Sequence, residues 1–190
     1  MIEQTLVLLK PDAVQRALSG EIIARFEKAG LKIVGLKMIK ATLDLASKHY
    51  PDSLIPIVGG KTMKDWESFG IKGKESKEEI GTIIVKSIRN MLTNHPFIAV
   101  VLEGVHAVEI VRKIVGPTGP KDAPPGTIRG DFGHASLGFA SVQKKGISNL
   151  IHASGTIEEA KREIQIWFTS DEIQRYKTVH DDLVLQSHTW

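Results

Sequence analysis

The sequence predicts an α/β fold in which a sheet is covered by helices, and two observations support this. Short apolar runs of strand length alternate with segments whose apolar residues recur at helical spacing. The helical segments begin near capping residues or end at glycine or proline. This alternation predicts helices packed on a sheet, and it leaves open which strands are parallel.

A single domain spanning residues 1–190 is expected. The 190 residues are enough to bury a core of their own, and no repeat, low-complexity segment or linker divides them. The domain has two irregular stretches, at about 51–75 and 133–148, and a polar tail from about residue 170.

The first half of the chain predicts two strands and two helices. In order these are a strand at 4–10, a helix at 20–29, a strand at 31–40 and a short helix at 43–50. Proline has no backbone N–H, so the first strand ends at Pro11, and the second helix ends before Pro51. The segment 51–75 holds many glycines and prolines and is predicted to be irregular.

The second half predicts three helices, two strands and loops. These are a helix at 76–93, a strand at 97–102, a helix at 105–115, loops at 116–131 and 133–148, a helix at 156–167 and a short strand at 166–169. Two helix starts have the spacing of a capping box, Ser76 with Glu79 and Thr156 with Glu159. The polar tail from Ser170 is expected to pack on a neighbouring surface.

Composition excludes several classes of protein. The chain has no cysteine, which rules out disulfides and thiol catalysis. It has no run of eighteen apolar residues and no signal-peptide pattern, so a cytoplasmic protein without a membrane partner is expected. The net charge of +3 is too small to indicate a particular ligand.

Three short patterns look like known motifs and fail on inspection. Gly60-Lys61-Thr62 resembles the end of a P-loop, but the glycine required at position 55 is Ile55. Asp131-Phe132-Gly133 matches the metal-binding motif of protein kinases, yet no catalytic loop precedes it. The histidines do not have metal-ligand spacing, so no protein-held metal is expected.

Three further segments, taken together and in order, are informative. They are Thr5–Ala13, containing Leu9-Lys10-Pro11-Asp12-Ala13, then Pro125–Phe132, and then Asn149-Leu150-Ile151-His152-Ala153-Ser154. This combination resembles the nucleoside diphosphate kinase family over nearly the whole chain. The resemblance implies a ferredoxin-like α/β sandwich with a four-stranded antiparallel sheet. It also implies transfer of a terminal phosphate from a nucleoside triphosphate to a nucleoside diphosphate, in two steps through a phosphohistidine.

His152 is the candidate nucleophile. Taken alone, one of seven histidines is most often a surface or core residue, although His152 precedes a helix start where anions gather. The resemblance identifies it as the phosphate acceptor. It further implies that Glu163 accepts a hydrogen bond from the ring and that Ser154 contacts the same carboxylate. Without the resemblance, Glu163 would be a solvated charge and Ser154 a helix cap.

The resemblance also implies the residues that bind the nucleotide. Each has an ordinary alternative, such as a surface charge or a core aromatic, and only their joint occurrence carries weight. Lys10 would contact the terminal phosphate and Tyr50 would orient it, Arg112, Arg129 and Thr118 would bind phosphates, and Asn149 would contact the ribose. Mg²⁺ would be carried by the nucleotide.

The chain departs from the family pattern in base recognition. The usual aromatic that stacks on the base is missing from the long segment 51–75, and the second insertion, 133–148, adjoins the nucleophile motif. Gly155 stands where an aspartate is common. An apolar substitute is expected from the first insertion or the helix behind it. The candidates are Ile55, Ile57, Met63, Trp66 and Phe69.

The expected partners are nucleoside di- and triphosphates, with broad base specificity because stacking accepts every base. A homo-oligomer is also expected, a hexamer rather than a tetramer, since Glu172–Tyr176 is similar to the extension of hexameric members. Nucleic acid is not an expected partner. Two other functions remain open: a nucleotide- or nucleic-acid-binding regulator that has lost catalysis, and a plain interaction domain.

Overall fold

The computed structural model describes residues 2–185. Its strands are β1 Ile2–Leu9, β2 Lys32–Ile39, β3 Phe97–Val105 and β4 Ile151–Ala153. Its α-helices are α1 Pro11–Gln15, α2 Ser19–Lys28, α3 Leu43–His49, α4 Ile55–Ser68, α5 Lys77–Asn94, α6 Ala107–Val115, α7 Ile128–Phe132, α8 Leu137–Val142, α9 Ile157–Trp167 and α10 Val179–Leu185. Single 3₁₀ turns occur at Asp52–Leu54, Pro120–Asp122 and Ser170–Glu172.

The four strands form one antiparallel sheet in the order β2-β3-β1-β4. β1 is central, pairing Leu6 with Val101 on one side and Leu8 with His152 on the other. The predicted ferredoxin-like α/β sandwich is therefore confirmed. The order also places β4, which carries His152, beside the end of β1 that leads into Lys10.

Helices cover both faces of the sheet, which explains why β1 is an apolar run rather than an alternating one. Val7 and Leu9 point into a core shared with α2 and α6, where Phe26 and Val111 are fully buried. Leu6 and Leu8 point into a second core on the opposite face, which includes Trp167 of α9. β1 is thus buried on both sides and forms a rigid base for the residues that follow it.

The prediction that segment 51–75 is irregular is wrong, because most of it forms α4. Pro56 lies in the first turn, where its missing N–H is harmless. Gly59 lies where α4 meets α5, and a Cβ there would be 1.9 Å from the carbonyl oxygen of Lys77. Gly81 of α5 has the same role, since its Cβ would be 2.2 Å from the carbonyl oxygen of Ile55. Close helix packing, rather than a loop, explains these glycines.

The short strand predicted at 166–169 is also wrong. α9 continues to Trp167, whose side chain is 3% exposed in the second core, and the fourth strand is instead the three-residue β4. The loops predicted at 116–131 and 133–148 contain α7 and α8, which are capped by Thr127 and Ser136. Both helices are too short for hydrophobic periodicity to indicate them.

Of the two predicted capping boxes, one is confirmed. Ser76 and Glu79 form both reciprocal bonds at the start of α5. Thr156 caps α9 by accepting from the backbone N–H of Glu159, but the Glu159 carboxylate accepts the N–H of Gly155 at 2.6 Å instead of closing the box.

The tail returns to the edge of the sheet in its own chain. The backbone N–H of Gln174 donates to the carbonyl of Val34 at 2.7 Å, and the Tyr176 hydroxyl donates to the carbonyl of Ile33 at 2.7 Å. The end of the predicted tail, residues 186–190, lies outside the described residues. Among residues 2–185, no helix has both the length and the apolar content needed to cross a membrane.

The glycines between α4 and α5 give a stability prediction. Gly59→Ala should destabilise the protein by about 1–3 kcal/mol, because backbone atoms of α5 occupy the space of the new methyl group. Gly60→Ala is the matched control. Its Cβ would meet only the flexible side chain of Lys77 at 3.4 Å, so the better helix propensity of alanine should stabilise it by up to about 1 kcal/mol. Urea unfolding of both variants checks this, and equal stabilities would contradict the close packing.

Candidate active site

A cavity of about 290 Å³ opens beside the C-terminal end of β1 and the start of β4. Seven of the residues singled out in the sequence line it. They are Lys10, Tyr50, Arg112, Thr118, Arg129, Asn149 and His152. Ser154 and Glu163 do not line the cavity, and both are buried behind His152. The fold therefore brings together residues from four separate parts of the chain.

His152 faces this cavity from β4 with 18% of its side chain exposed. Its Nε2 lies 2.8 Å from Oε2 of Glu163, and the Ser154 hydroxyl donates to the same oxygen at 2.7 Å. A carboxylate accepts hydrogen bonds, so the proton of a neutral His152 ring resides on Nε2. Nδ1 then carries the free lone pair, which is the form that a nucleophile requires.

Glu163 is 2% exposed on α9 and is held in its charged form. Burial raises the pKa of its carboxyl group, but the hydrogen bonds from His152 and Ser154, together with the charge of His152 when its ring is protonated, outweigh burial and bring the pKa to about 2. A fixed negative charge behind the ring favours any state in which the imidazole gains positive charge. Attack through Nδ1 produces such a state.

His49 is a neighbour of His152 that the sequence did not single out. The two ring centroids are 4.5 Å apart in an edge-on arrangement, and Trp167 Nε1 donates to His49 Nδ1 at 3.2 Å. Burial, followed by the adjacent His152, lowers the pKa of His49 well below its usual value. His49 therefore stays neutral and packs against the nucleophile without competing for Glu163. The only feature of the sequence that pointed to His49 was its position next to the candidate residue Tyr50.

A strained turn precedes β4. Leu150 has a φ of +71°, and the N–H of Ile151 donates to the carbonyl of Asn149 at 2.8 Å, which makes a γ-turn of the rare positive-φ kind. Two contacts from the segment that follows β1 hold it. The N–H of Leu150 donates to Asp12 Oδ2 at 2.9 Å, and the N–H of Lys10 donates to the carbonyl of Leu150 at 2.8 Å.

Arg129 is fixed by the same stretch of backbone. Its guanidinium donates to the carbonyls of Gly116 at 2.7 Å, Ile151 at 2.6 Å and Asn149 at 3.3 Å, and the residue is 8% exposed. Burial and the nearby Arg112 lower the pKa of Arg129 to about 10, so it stays charged at neutral pH. These contacts give Arg129 a structural role that the sequence did not indicate.

Lys10 and Asn149 form the floor of the cavity. Lys10 is 6% exposed, and its Nζ donates to Asn149 Oδ1 at 2.6 Å. The Asn149 amide in turn donates to the carbonyl of Thr118 at 2.8 Å. Burial and the charge of Arg129 lower the pKa of Lys10 to about 8, although the carboxylate of Asp12 opposes this shift. An anion in the cavity would relieve the repulsion between these two cations.

Arg112 differs from the other two cations because it is exposed on α6 and has no hydrogen-bond or ion-pair partner within residues 2–185. Its guanidinium is free to turn toward a ligand at the mouth of the cavity. Two buried cations, Lys10 and Arg129, and the exposed Arg112 beside His152 suit a polyphosphate more than any neutral ligand.

One cluster of possible metal ligands occurs within residues 2–185, formed by His49, His152 and Glu163, with ligand atoms within 4.8 Å of one another. Mg²⁺ prefers oxygen ligands in an octahedron that includes water. This cluster offers two ring nitrogens and one carboxylate that already accepts two hydrogen bonds. The protein groups therefore do not fit a resident Mg²⁺ ion.

The other half of the cavity comes from the two insertions and α5. Val58 of α4, Ile84 and Ile88 of α5 and Leu137 of α8 line it. None of the five residues considered from the sequence as base-stacking candidates does so. Trp66 is 5% exposed and donates to Ser141 Oγ at 2.7 Å, while Ile57, Met63 and Phe69 are exposed. The apolar surface of this half of the cavity thus comes from residues whose position only the fold reveals, and its contact with a base stays a prediction.

A sequence model described as "Nucleoside diphosphate kinase" matches residues 3–54 and 76–173. A nucleoside diphosphate kinase from Pyrobaculum aerophilum is 48% identical over 179 residues, covering 90% of this chain and 98% of that protein.

Two solved structures are similar in fold. The crystal structure of an NDP kinase from Pyrobaculum aerophilum has a TM-score of 0.86 at 44% identity, covering 92% of this chain and 100% of the other. A transition-state mimic of the nucleoside diphosphate kinase from Borrelia burgdorferi, with bound vanadate and ADP, has a TM-score of 0.80 at 37% identity and 96% coverage of both chains. Because the family's sequence model matches most of its length, the chain belongs to the nucleoside diphosphate kinase family, whose enzymes transfer the terminal phosphate of a nucleoside triphosphate to a nucleoside diphosphate through a phosphohistidine.

Proposed function

We propose that this cavity performs the family's two-step transfer, with His152 as the nucleophile. The observation that carries the proposal is the 2.8 Å contact between His152 Nε2 and the buried Glu163, which leaves the lone pair on Nδ1. In the first step Nδ1 forms a bond to the terminal phosphorus and the bond to the bridging oxygen breaks. The nucleoside diphosphate leaves, and a second diphosphate takes the phosphate in the reverse reaction.

Lys10, Arg112 and Arg129 are proposed to bind the phosphate oxygens, with Thr118 and the Tyr50 hydroxyl completing the phosphate contacts. Asn149 is proposed to contact the ribose. Lys10 and Arg129 are already held by Asn149 and by three backbone carbonyls, so these cations need little rearrangement when charge builds up during transfer. Ser154 and Glu163 are proposed to orient the ring and to offset its positive charge.

The substrate is proposed to be the Mg²⁺ complex of the nucleotide, in which the ion neutralises part of the phosphate charge. The poor fit of the His49, His152 and Glu163 cluster to Mg²⁺ supports an ion carried by the substrate.

We also propose a homo-oligomer, a hexamer rather than a tetramer, because the segment Glu172–Tyr176 of the tail resembles the extension of hexameric members. The cytoplasmic location stays a prediction of the sequence.

The first of the other two functions is a regulator that binds nucleotide or nucleic acid and has lost catalysis. Such a protein would have no need for a buried, charged Glu163 behind His152. A neutral residue would pack there with less desolvation. The second, a plain interaction domain, would not require the buried cations Lys10 and Arg129 at one cavity. One coupled assay of phosphate transfer from ATP to another nucleoside diphosphate distinguishes all three functions.

Incubation with labelled ATP and Mg²⁺ should leave phosphate on His152, since its Nδ1 carries the free lone pair. The adduct should be labile in acid and stable in base, and His152→Ala should not form it. His134→Ala, which alters a histidine absent from the cavity lining, serves as the control and should label normally. Label on serine or threonine, or its persistence in His152→Ala, would refute the mechanism.

Nucleotide affinity should fall as the pH rises above about 8, the pKa of Lys10 in the free enzyme. Lys10 is charged below this pH and loses its proton above it, whereas a bound phosphate favours the charged form. Binding at pH 9 should therefore take up a proton. Calorimetry in buffers with different ionisation enthalpies measures this uptake. Lys10→Arg, which keeps its charge, should abolish it, and an uptake unchanged in that variant would show that another group titrates.

Arg129→Ala should lose roughly two to three orders of magnitude in transfer rate and also about 1–3 kcal/mol of stability, because the carbonyls of Gly116, Asn149 and Ile151 each lose a hydrogen bond. Arg112→Ala is the comparison. Its side chain is exposed and has no partner within residues 2–185, so the rate should fall while the unfolding midpoint stays unchanged. Steady-state kinetics and thermal unfolding of both variants test the distinction. Equal stability losses would contradict it.

A further inference from the structure

The half of the cavity formed by α4 contains one carboxylate. Val58, Lys61, Thr62 and Asp65 all line the cavity, and their spacing of three, four and seven residues places them on one face of α4. Val58 supplies apolar surface and Thr62 is 6% exposed. Asp65 lies in the last turn of this face and is half-buried. In a cavity dominated by cations for phosphate, this carboxylate has no use in binding phosphate and would repel it.

The position of Asp65 is fixed by packing between the two insertions. Its neighbour Trp66 donates to Ser141 Oγ of α8 at 2.7 Å. Phe69, at the end of α4, packs closely on Gly138 of α8, and a Cβ added to Gly138 would be 2.6 Å from the Phe69 ring. This packing of α4 on α8 therefore fixes the part of α4 that carries Asp65 before any ligand enters.

Asp65 has no hydrogen bond or ion pair of its side chain in the part of the chain that is described, residues 2–185. Lys121 is the nearby cation, but it lies 3.7 Å from Asp122 and over the ring of Phe69 at 4.8 Å. Burial and the like charge of Asp122 raise the pKa of Asp65, and Lys121 only partly opposes them. Lys61 and Lys145 complete the charged groups of this half of the cavity. Within residues 2–185 the protein therefore supplies no hydrogen-bond donor to this carboxylate.

We propose that Asp65 accepts hydrogen bonds from the base of the nucleotide, and that it makes guanine nucleotides the preferred substrates. Guanine presents N1–H and its 2-amino group side by side, and these two donors match the two oxygens of a carboxylate. Adenine offers one amino group beside a ring nitrogen whose lone pair repels a carboxylate. Uracil and cytosine each offer a single donor group. The proposal rests on the proposed function, since it places the base of the same nucleotide in this half of the cavity.

The preference adds to stacking rather than replacing it. Val58, Ile84, Ile88 and Leu137 provide apolar contact that every base can use, so all nucleotides remain substrates. Asp65 then favours one base over the others by the two additional hydrogen bonds. A doubly bonded pair of this kind changes selectivity by about tenfold when partly solvated.

The test compares kcat/KM for GDP, IDP, ADP and UDP as acceptors, with ATP as donor. The wild-type enzyme should prefer GDP to ADP, and IDP, which lacks the 2-amino group, should lie between them. Asp65→Asn should lower kcat/KM for GDP by about tenfold and leave ADP unchanged or improved, since an asparagine amide can donate to the adenine ring nitrogen. Glu67→Gln is the matched control, because it removes the same charge from an exposed position on α4 outside the cavity lining.

An equal loss for all four acceptors in Asp65→Asn would show that the carboxylate acts on the packing of α4, and it would overturn the proposal. An unchanged ratio of GDP to ADP would overturn it as well. If the wild-type enzyme transferred phosphate to none of the acceptors, the proposed function would fail. Calorimetric binding of the same four diphosphates to wild type and Asp65→Asn would still decide the base preference.

Discussion

The γ-turn at Leu150 is the constraint on which the site depends. A positive φ at a branched, fully buried residue is unfavourable, and it persists because surrounding groups hold both of its peptide units. Asp12 and the backbone of Lys10, which directly follow β1, hold Leu150, and Arg129 holds the carbonyls on either side of it. The turn therefore links the end of β1, the arginine and the strand that carries His152.

Because these links use charged groups, the folded protein assembles buried cations before any substrate is present. Lys10 and Arg129 repel each other, and the carboxylate of Asp12 opposes part of this repulsion, with its Oδ1 buried and unpaired within residues 2–185. An arrangement of this kind lowers stability on its own and gains from an anion. The same groups that repel one another are thus already positioned to bind an anion, so the protein gives up some stability in exchange for tighter anion binding.

The sequence indicated which residues would meet at the site better than it indicated the architecture around them. Lys10, Arg129, Asn149 and His152 lie in three short motifs that together resemble one family, and the fold brings all four to one cavity. β4 was missed because three residues give no periodicity, and α4 was missed because its glycines and Pro56 are typical of a loop. Gly59 allows α5 to pack closely against α4. Contacts of this kind, between segments distant in sequence, cannot be predicted from local sequence. His49 was missed for the same reason.

The two insertions are far apart in sequence, yet they pack together and are joined by the hydrogen bond from Trp66 to Ser141. The family model leaves residues 55–75 unmatched, and these include all of α4. The half of the cavity around His152 comes from segments that match the family model. The other half combines α4, which supplies Val58 and Asp65, with Ile84, Ile88 and Leu137 from matched segments. Under the proposed function, the helix outside the family model is therefore assigned to the base and not to the phosphates. Substitutions on α4 are then expected to alter which base is preferred without disturbing the turn at Leu150 or the histidine behind it.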